Sequence, residues 1–389
     1  MAATLIVTTE LLGTRPAGPG LRAQGIACGL AQAGFDVALV APSGSTSADV
    51  PILSLRELKR EIRRADAVIA PASILALLPE IRTADRLCVD FAGPYPLEAA
   101  ASHLPPSTIR AAEVSAADAV VAADLVLCAH KRQVEYAMDL MRRLRPDQQP
   151  TGPRFALVPF GIQPRGSNRP AQRVRDGALR VVWPGGLWDW LDPLIAVTAL
   201  STCTTPVTID FWGARNPDPR APAATRASAV VDLAKRLGVE ERVFLTDWID
   251  ADRFDRELAG FDLAITFDDA GPEATHAFRT RLLHALAVGV PTLATTGEYV
   301  ADLAASRGAG WTVPPNDPDA LATMLTRIAT TRDAIEQASA QALTLAAEFS
   351  YDDLVSPLAD WLRQPGQARP RAAPTAHERV RRALRRGLR

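Results

Sequence analysis

Short apolar runs alternate with segments of helical spacing through the first half of the chain. The runs lie at 4–8, 35–42, 66–72, 86–93 and 124–129, and helical patterns lie between them at 21–34, 54–65 and 109–123. Nearly continuous apolar strands separated by helices are typical of parallel sheets covered on both faces. The pattern therefore predicts a doubly wound α/β domain.

The second half of the chain repeats this pattern. Apolar runs occur at 179–183, 207–213, 243–249, 261–267, 290–295 and 310–313, again separated by helical segments. A polar stretch rich in Pro and Gly, 161–178, lies between the halves and is typical of a domain boundary. We predict two similar α/β domains, 1–165 and 178–348, followed by an amphipathic segment at 349–365.

The last segment, 366–389, has a different composition. It begins rich in Pro and Ala, which favours disorder, and it ends with arginines around a narrow apolar stripe of Val380, Leu384 and Leu388. The arginines are Arg379, Arg381, Arg382, Arg385, Arg386 and Arg389. Two hypotheses stay open: a basic amphipathic helix that adheres to an anionic membrane surface, and a solvated tail.

The overall composition narrows the possible classes of function. Of the 389 residues 48% are hydrophobic and 22% charged, and the formal net charge of -1 gives no general attraction for nucleic acid. The four cysteines are far apart and show no metal-ligand spacing, so buried reduced thiols are expected. No run approaches the roughly 18 apolar residues of a membrane span, and a cytoplasmic protein is predicted.

One stretch, 272–310, combines polar side chains with an apolar helix and a buried strand. The strands predicted at 261–267 and 290–295 flank it, and the loops 268–275 and 295–298 follow their carboxyl ends. In open parallel sheets, ligands bind beyond the carboxyl ends of the strands, where helix N-termini present free N–H groups. We therefore expect a phosphorylated ligand at this edge.

Several motifs, in this order, resemble family 4 of the retaining glycosyltransferases. The resemblance rests on WPGGLWDWLDPL, FWGARNP, FRTRLLHALAVGVPTLATTGE and GAGWTVPPND. It implies the GT-B fold, in which 349–365 crosses back onto the first domain. It also implies transfer of a sugar from a nucleoside diphosphate to an acceptor in the first domain, with retention and without a metal or cofactor.

The resemblance is incomplete at the donor site. Many members carry two glutamates where this chain has His276 and His284, although a closer subfamily shares FRTR and Glu273. The usual basic pair after the first strand of the second domain is also missing from PGGLWDWLDPL. Our hypothesis is that Arg279 and Arg281 replace it, one of them clamping the diphosphate.

The resemblance and the loop positions together give two sets of candidate residues. The donor set is Gly185, Gly186, Trp188, Arg215, Trp248, Glu273, His276, Arg279, Arg281, His284, Thr296, Gly297 and Glu298. The acceptor set is Gly18, Gly20, Arg22, Asp90 and Glu98. No catalytic residue and no metal ligand is assigned.

Structural explanations compete with these assignments. The alternatives are that the two arginines are helix-surface charges, that His284 is a core histidine, and that 295–298 is an ordinary capped helix start. For the arginines a functional anion is favoured, because two cations in the first turn of a helix oppose its dipole. The glycines before the first helix suit a simple turn.

Three hypotheses for function follow. The leading one is a sugar-nucleotide-dependent glycosyltransferase whose acceptor is a lipid-linked glycan or a natural product, with the tail holding it at the inner face of the membrane. The alternatives are a non-catalytic protein of the same fold that binds nucleotide or another enzyme, and a sugar-nucleotide isomerase.

Overall fold

The structure is a computed structural model that describes residues 3–14, 17–147, 154–162, 177–214 and 225–365. The first domain is built on a parallel sheet with the spatial order β3-β2-β1-β4-β5-β6-β7. Its strands are β1 (Ala3–Val7), β2 (Val37–Ala41), β3 (Ile52–Ser54), β4 (Ala65–Pro71), β5 (Leu87–Asp90), β6 (Leu125–Cys128) and β7 (Arg154–Leu157).

Helices cover both faces of this sheet. They are α1 (Gly18–Gln32), α2 (Leu58–Ile62), α3 (Tyr95–Ala101), α4 (Pro106–Ala122) and α5 (Lys131–Leu144), with 3₁₀ turns at Leu55–Glu57, Ala72–Ile74 and Pro79–Thr83. One hydrophobic core lies between the sheet and α2, α4 and α5, and a second lies between the sheet and α1. Because both faces are buried, the strands are apolar at nearly every position.

The second domain repeats the architecture, in the order β10-β9-β8-β11-β12-β13. Its strands are β8 (Leu179–Trp183), β9 (Val207–Phe211), β10 (Val243–Leu245), β11 (Leu263–Thr266), β12 (Thr292–Thr295) and β13 (Gly310–Val313). Its helices are α6 (Leu194–Thr202), α7 (Thr225–Leu237), α8 (Ala251–Leu258), α9 (Pro272–His276), α10 (Thr280–Ala287), α11 (Tyr299–Ser306), α12 (Pro318–Thr330) and α13 (Arg332–Ala346). The prediction of two doubly wound α/β domains is confirmed.

In each sheet, the direction in which strands are added reverses at one point. The reversal lies between β1 and β4 in the first domain and between β8 and β11 in the second. A crevice opens at such a point because the connections on its two sides leave toward opposite faces of the sheet. A ligand of the second domain is therefore expected in the crevice between β8 and β11.

After α13 the chain returns to the first domain. A 3₁₀ turn at Ala347–Phe349 leads into α14 (Tyr351–Leu354) and α15 (Ser356–Arg363), whose Tyr351 and Trp361 are buried in the core beside α1. Where the chain returns, the Ile162 amide donates to the Phe349 carbonyl at 2.8 Å, and Ile162 pairs with Ser350 as a parallel bridge. The two segments that cross between the domains thus run side by side.

The contact between α1 and α14 depends on small residues. A Cβ atom on Gly29 would lie 2.7 Å from the Tyr351 carbonyl oxygen, which is too close for non-bonded atoms. We therefore expect Gly29→Ala to lower the free energy of unfolding by about 1–2 kcal/mol, because overpacking outweighs the gain of about 1 kcal/mol in helix propensity. Thermal denaturation measures this. Gly271→Ala is the control, since a Cβ there would meet nothing within 4 Å.

Two features differ from the sequence expectations. The short helix α3 follows β5 where no element was predicted, and the helical pattern after β11 is divided into α9 and α10 by residues 277–279. Arg215, the linker 163–176 and the tail 366–389 lie outside the described residues. Among the residues that are described, no helix has both the length and the apolar character needed to cross a membrane.

Candidate functional site

The loops that follow β8 and β9 meet at the crevice of the second domain. Gly185 and Gly213 both adopt positive φ, +132° and +72°, a region that side chains other than glycine rarely adopt. A Cβ on Gly213 would lie 2.8 Å from the Gly186 nitrogen. The glycines thus let two backbone segments approach each other closely. Gly185 and Gly186 belong to the predicted donor set, and Gly213 does not.

Two helix N-termini face each other across the cleft between the domains. The first residue of α1, Gly18, would place a Cβ 3.5 Å from the Oγ1 of Thr280, which is the first residue of α10. Neither helix has a side-chain cap or an acidic residue in its first turn. The positive ends of both helix dipoles therefore meet at one point, which favours an anion.

Arg281, the second residue of α10, extends from this point toward the glycine loop. Its Nη1 donates to the Gly186 carbonyl at 3.0 Å, and its guanidinium lies 5.7 Å from the ring centroid of the buried Trp183. Burial and the neighbouring Arg279 lower the pKa of Arg281 to about 9, so the side chain is charged at neutral pH. Among the described residues, no carboxylate forms an ion pair with it.

Arg279 has a different environment. Its guanidinium is buried and donates to both oxygens of Glu273, at 3.0 and 2.5 Å, and to Asp268. Burial alone would lower the pKa of Arg279, but Asp268, Glu273 and Glu298 raise it above the ordinary value. The protein itself thus supplies the anions that bind Arg279. These contacts hold the 277–279 break, and a contact between Arg279 and a diphosphate stays a prediction.

Glu273 is a buried partner of Arg279, and a contact between Glu273 and the donor stays a prediction. Asp268 lies at the end of β11, where its amide donates to Thr295 at 2.9 Å, while its Oδ2 is buried without a hydrogen-bond partner. The acidic pair Asp268 and Asp269 resembles a metal-binding pair in sequence, but Asp268 is bound to a guanidinium. In the described part of the chain, no group of three or more His, Cys, Asp or Glu side chains is placed to hold a metal ion.

The loop at 295–298 forms a capped helix start. Glu298 accepts from the Ala301 amide at 2.7 Å as the N-cap of α11 and from the Arg279 amide at 2.9 Å. The Thr296 hydroxyl donates to the Val313 carbonyl at 3.1 Å, and the Gly297 amide donates to Asp302 at 2.9 Å. These groups bind the protein, so the structural alternative applies to Thr296, Gly297 and Glu298. Burial raises the pKa of Glu298 to about 7.

The two histidines at the usual carboxylate positions lie apart from each other. His276 is half-buried at the end of α9, and its Nδ1 lies 2.7 Å from the Pro272 carbonyl of its own helix. His284 is half-buried on α10, one turn beyond Arg281, with its ring edge-to-face against Phe254 of α8 at 6.0 Å. Of the two histidines, His284 is thus the one that shares a helix with Arg281.

Two tryptophans of the donor set occupy loops at the same sheet edge. Trp188 stacks on Trp190 with ring centroids 5.6 Å apart, and a Cβ on Gly186 would touch its ring at 2.8 Å. Trp248 is half-buried in the loop between β10 and α8. Both aromatic side chains are thus placed beside the glycine loops, where a base or a sugar ring could stack.

Arg22 and Asp90 of the acceptor set bind each other. Arg22 Nε donates to Asp90 at 2.7 Å and Nη2 at 2.9 Å, and the guanidinium also donates to the carbonyls of Val158 and Pro159. Burial lowers the pKa of Arg22, yet the charge of Asp90 raises it overall. Because Arg22 is only 2% exposed, the pair ties α1 to the ends of β5 and β7, and contact of either residue with the acceptor stays a prediction.

The other acceptor candidates differ in position. Gly18 faces Thr280 of the second domain, on the donor side of the cleft. Gly20 is buried in the first turn of α1. Glu98 lies on α3, which packs against α9, and it interacts electrostatically with Glu273 and Arg279 across the domain boundary.

The side chains that join the two domains are not among the residues predicted from the sequence. The Gln133 amide nitrogen donates to the His276 carbonyl at 2.8 Å, and His130 Nε2 lies 3.1 Å from the Ala277 carbonyl. Arg132 donates to the Gly297 carbonyl at 2.6 Å. All three residues come from the run AHKRQ after β6, where a polar cluster directly after a buried strand was the available signal.

Comparison with known proteins agrees with this geometry. Residues 180–331 match the family model described as glycosyl transferases group 1, which places a domain of that kind in the second half of the chain. A search of curated proteins gives no significant match.

Solved structures similar to the whole chain share its fold. Sucrose-phosphate synthase of Thermosynechococcus elongatus superposes with a TM-score of 0.69 at 12% identity, over 94% of this chain and 99% of that one. Anabaena HepE in complex with UDP and glucose has a TM-score of 0.70 at 15% sequence identity, over 93% of this chain and 99% of that one. WaaG, a glycosyltransferase involved in lipopolysaccharide biosynthesis, has a TM-score of 0.66 at 16% sequence identity, over 93% of this chain and 100% of that one. The predicted GT-B fold is confirmed.

Proposed function

We propose that this chain is a glycosyltransferase that moves a sugar from a nucleoside diphosphate to an acceptor in the cleft between its two domains. The observation that carries the proposal is the meeting of Arg281 with the uncapped N-termini of α1 and α10 beside the Gly185–Gly186 loop. A diphosphate is the anion that matches several convergent N–H donors and one guanidinium.

The charged groups have a direct role in the reaction. As the bond between the sugar and the diphosphate breaks, negative charge grows on the leaving oxygen. Fixed donors aimed at that position stabilise the charge most in the transition state, and they need no rearrangement to do so. Arg281 and the two helix ends supply the positive charge that a cation supplies in other transferases, so we propose transfer without a metal and, from the family resemblance, with retention.

The rest of the donor has partners at the same edge. We propose that the nucleoside lies along the β8, β9 and β10 loops, where Trp188 and Trp248 offer aromatic surfaces and His284 can exchange one hydrogen bond with a ribose hydroxyl. The similar HepE structure is a complex with UDP and glucose, which supports uridine as the first base to test.

A panel of nucleoside diphosphates tests the proposal. We expect UDP or another nucleoside diphosphate to raise the thermal midpoint, because a ligand that binds only the folded state stabilises it by mass action, by about 2.7 kcal/mol at a hundredfold excess over Kd. The shift should persist with a chelator present. No shift with any uridine, guanosine or thymidine diphosphate would contradict the proposal and favour a protein that binds another enzyme.

The acceptor and the location stay predictions. A lipid-linked glycan would suit a chain held at an anionic membrane surface by the arginines of 366–389, and a natural product would suit a cytoplasmic enzyme without such contact. A sugar-nucleotide isomerase would form its product with no acceptor present, which distinguishes that hypothesis from the glycosyltransferase.

A further inference from the structure

Side chains at the start of α5 in the first domain bind backbone carbonyls of the second domain. They belong to His130, Arg132 and Gln133, and the carbonyls belong to residues 275–277 and 297. Residues 275–277 directly precede the turn into α10, the helix whose N-terminus faces that of α1. The first domain therefore binds the backbone that leads into the anion site.

Gln133 lies at the centre of these contacts and has no exposed surface. Its Oε1 accepts from the Ala129 amide at 2.7 Å. Its Nε2 donates to the Ala92 carbonyl at 2.9 Å and to the His276 carbonyl at 2.8 Å. The two amide hydrogens thus bind one carbonyl in each domain. A carboxylate of the same shape could accept at this position but could not donate.

His130 supplies a second contact beside Gln133. Its Nε2 lies 3.2 Å from the His276 carbonyl and 3.1 Å from the Ala277 carbonyl, and its ring stacks on Tyr299 of α11 with centroids 4.7 Å apart. Burial lowers the pKa of His130, so the ring is neutral at neutral pH. Nε2 carries the proton, because it faces two carbonyl oxygens. The His276 carbonyl consequently accepts from two side chains of the first domain.

The His276 carbonyl is close to Arg281 along the chain. His276 ends α9, and only the break at 277–279 separates it from α10, of which Arg281 is the second residue. The buried ion pairs of Arg279 hold this break in place. A displacement of the His276 carbonyl would therefore also displace the start of α10 and Arg281.

Arg132 contacts the loop on the other side of this break. It donates to the Gly297 carbonyl at 2.6 Å, and the next residue, Glu298, accepts from the Arg279 amide at 2.9 Å. The side chains of α5 thus bind both segments that hold the N-terminus of α10.

The anion site is composed of helix ends from two domains, so its geometry depends on how the domains are oriented. We propose that Gln133 is a positioning residue for the donor: its buried amide holds the second domain where the N-terminus of α10 and Arg281 meet the N-terminus of α1. This inference rests on the proposed function. Without the hydrogen bond the two helix ends are apart in a larger share of the molecules, and the apparent affinity for a nucleoside diphosphate falls with the share that stays competent.

The main variant is Gln133→Glu, which keeps the shape and the acceptor of the side chain and loses both donors when it is ionised. Gln337→Glu changes an exposed glutamine of α13 and is the matched control for the added charge. The probe is UDP, titrated calorimetrically near about pH 8, where the new carboxyl group is ionised. We expect Gln133→Glu to bind UDP at least about tenfold more weakly than wild type, and Gln337→Glu to match the wild type.

A second titration near about pH 6 connects the effect with the lost donor. Burial raises the pKa of a carboxyl group, so the one introduced by Gln133→Glu is protonated at the lower pH and again has a hydrogen to donate. The deficit relative to wild type should therefore shrink as the pH falls. Protonation of UDP, His130 or His276 occurs in both proteins and is removed by this comparison.

Small-angle X-ray scattering measures the orientation of the domains without a ligand. Near about pH 8 the radius of gyration of Gln133→Glu should exceed that of the wild type, and saturating UDP should return it to the wild-type value, because UDP selects the competent orientation. A purely local loss of packing at α5 would leave the radius of gyration unchanged.

Arg132→Ala is a second variant that leaves no charge buried, since Arg132 is partly exposed. It should weaken UDP binding by about threefold or more relative to Arg142→Ala, which removes an exposed arginine of the same helix.

Equal UDP affinities for Gln133→Glu and Gln337→Glu, or equal radii of gyration for Gln133→Glu and wild type, would overturn the inference. If Gln133→Glu does not fold, equal affinities for Arg132→Ala and Arg142→Ala would overturn it. Failure of the proposed function has a different signature, because the wild type itself would then bind no nucleoside diphosphate.

Discussion

Replacing Arg281 with alanine should weaken nucleoside diphosphate binding by at least about 30-fold, while the ligand-free protein stays as stable as the wild type. A buried charge pair that loses one partner costs about 2–5 kcal/mol of binding, and 1.4 kcal/mol is tenfold in affinity. The ligand-free protein loses little, because Arg281 has no carboxylate partner among the described residues and lies beside the like-charged Arg279. Calorimetric titration with UDP and thermal denaturation without it give the two quantities.

Two further variants sharpen this result. Arg281→Lys keeps the charge but loses the planar fork of donors, so its affinity should fall between those of Arg281→Ala and wild type. Arg327→Ala removes an exposed arginine of α12 and controls for the change in net charge. Equal affinities for Arg281→Ala and Arg327→Ala would exclude Arg281 from the anion site.

Replacing Arg279 with alanine should lower the stability of the ligand-free protein, whereas replacing Arg281 should leave that stability unchanged. The change leaves Asp268 and Glu273, only 2% and 4% exposed, without their cation. Breaking a buried ion pair by removing one partner typically costs about 3–5 kcal/mol. We expect a clear drop in the thermal midpoint of the ligand-free protein. A midpoint equal to that of Arg327→Ala would show that the cluster around Arg279 is not structural.

The pH dependence of this loss is an independent check. Burial already raises the pKa of Glu98 and Glu298 to about 7, and without Arg279 the neighbouring carboxyl groups should also titrate higher. A carboxyl pKa that is raised in the folded state gives stability that is present at low pH and is lost as the pH rises through that pKa. The deficit of Arg279→Ala should therefore be larger near about pH 8 than near about pH 6.

The sequence was sufficient for the fold, and the loops that it singled out in the second domain follow the carboxyl ends of neighbouring strands. Apolar strands buried on both faces leave a strong pattern, and parallel order then fixes which loops share an edge. Arg281 was identifiable because a cation in the first turn of a helix opposes the helix dipole and needs another reason to be there.

The division of roles between the two arginines was not predictable from the sequence. Arg279 and Arg281 are separated by one residue. The break at 277–279 nevertheless directs the Arg279 side chain toward Glu273 and Asp268, whereas the Arg281 side chain extends toward the Gly186 carbonyl in the crevice. Arg22 and Asp90 are 68 positions apart, and only the tertiary fold brings them together. Which side chains pair in this way depends on the tertiary fold, and the periodic pattern of hydrophobic residues in the sequence does not show it.

The paired crossing segments at Ile162 and Ser350 have a mechanical consequence. The Ile162 amide donates to the Phe349 carbonyl and Ile162 pairs with Ser350, so the end of the first domain is joined to the returning segment at this point. A rotation of one domain relative to the other about this point would change nearby contacts, such as the stacked rings of Phe160 and Phe278, less than distant ones. The facing ends of α1 and α10 belong to different domains, so such a rotation would change the distance between the two helix ends that favour an anion.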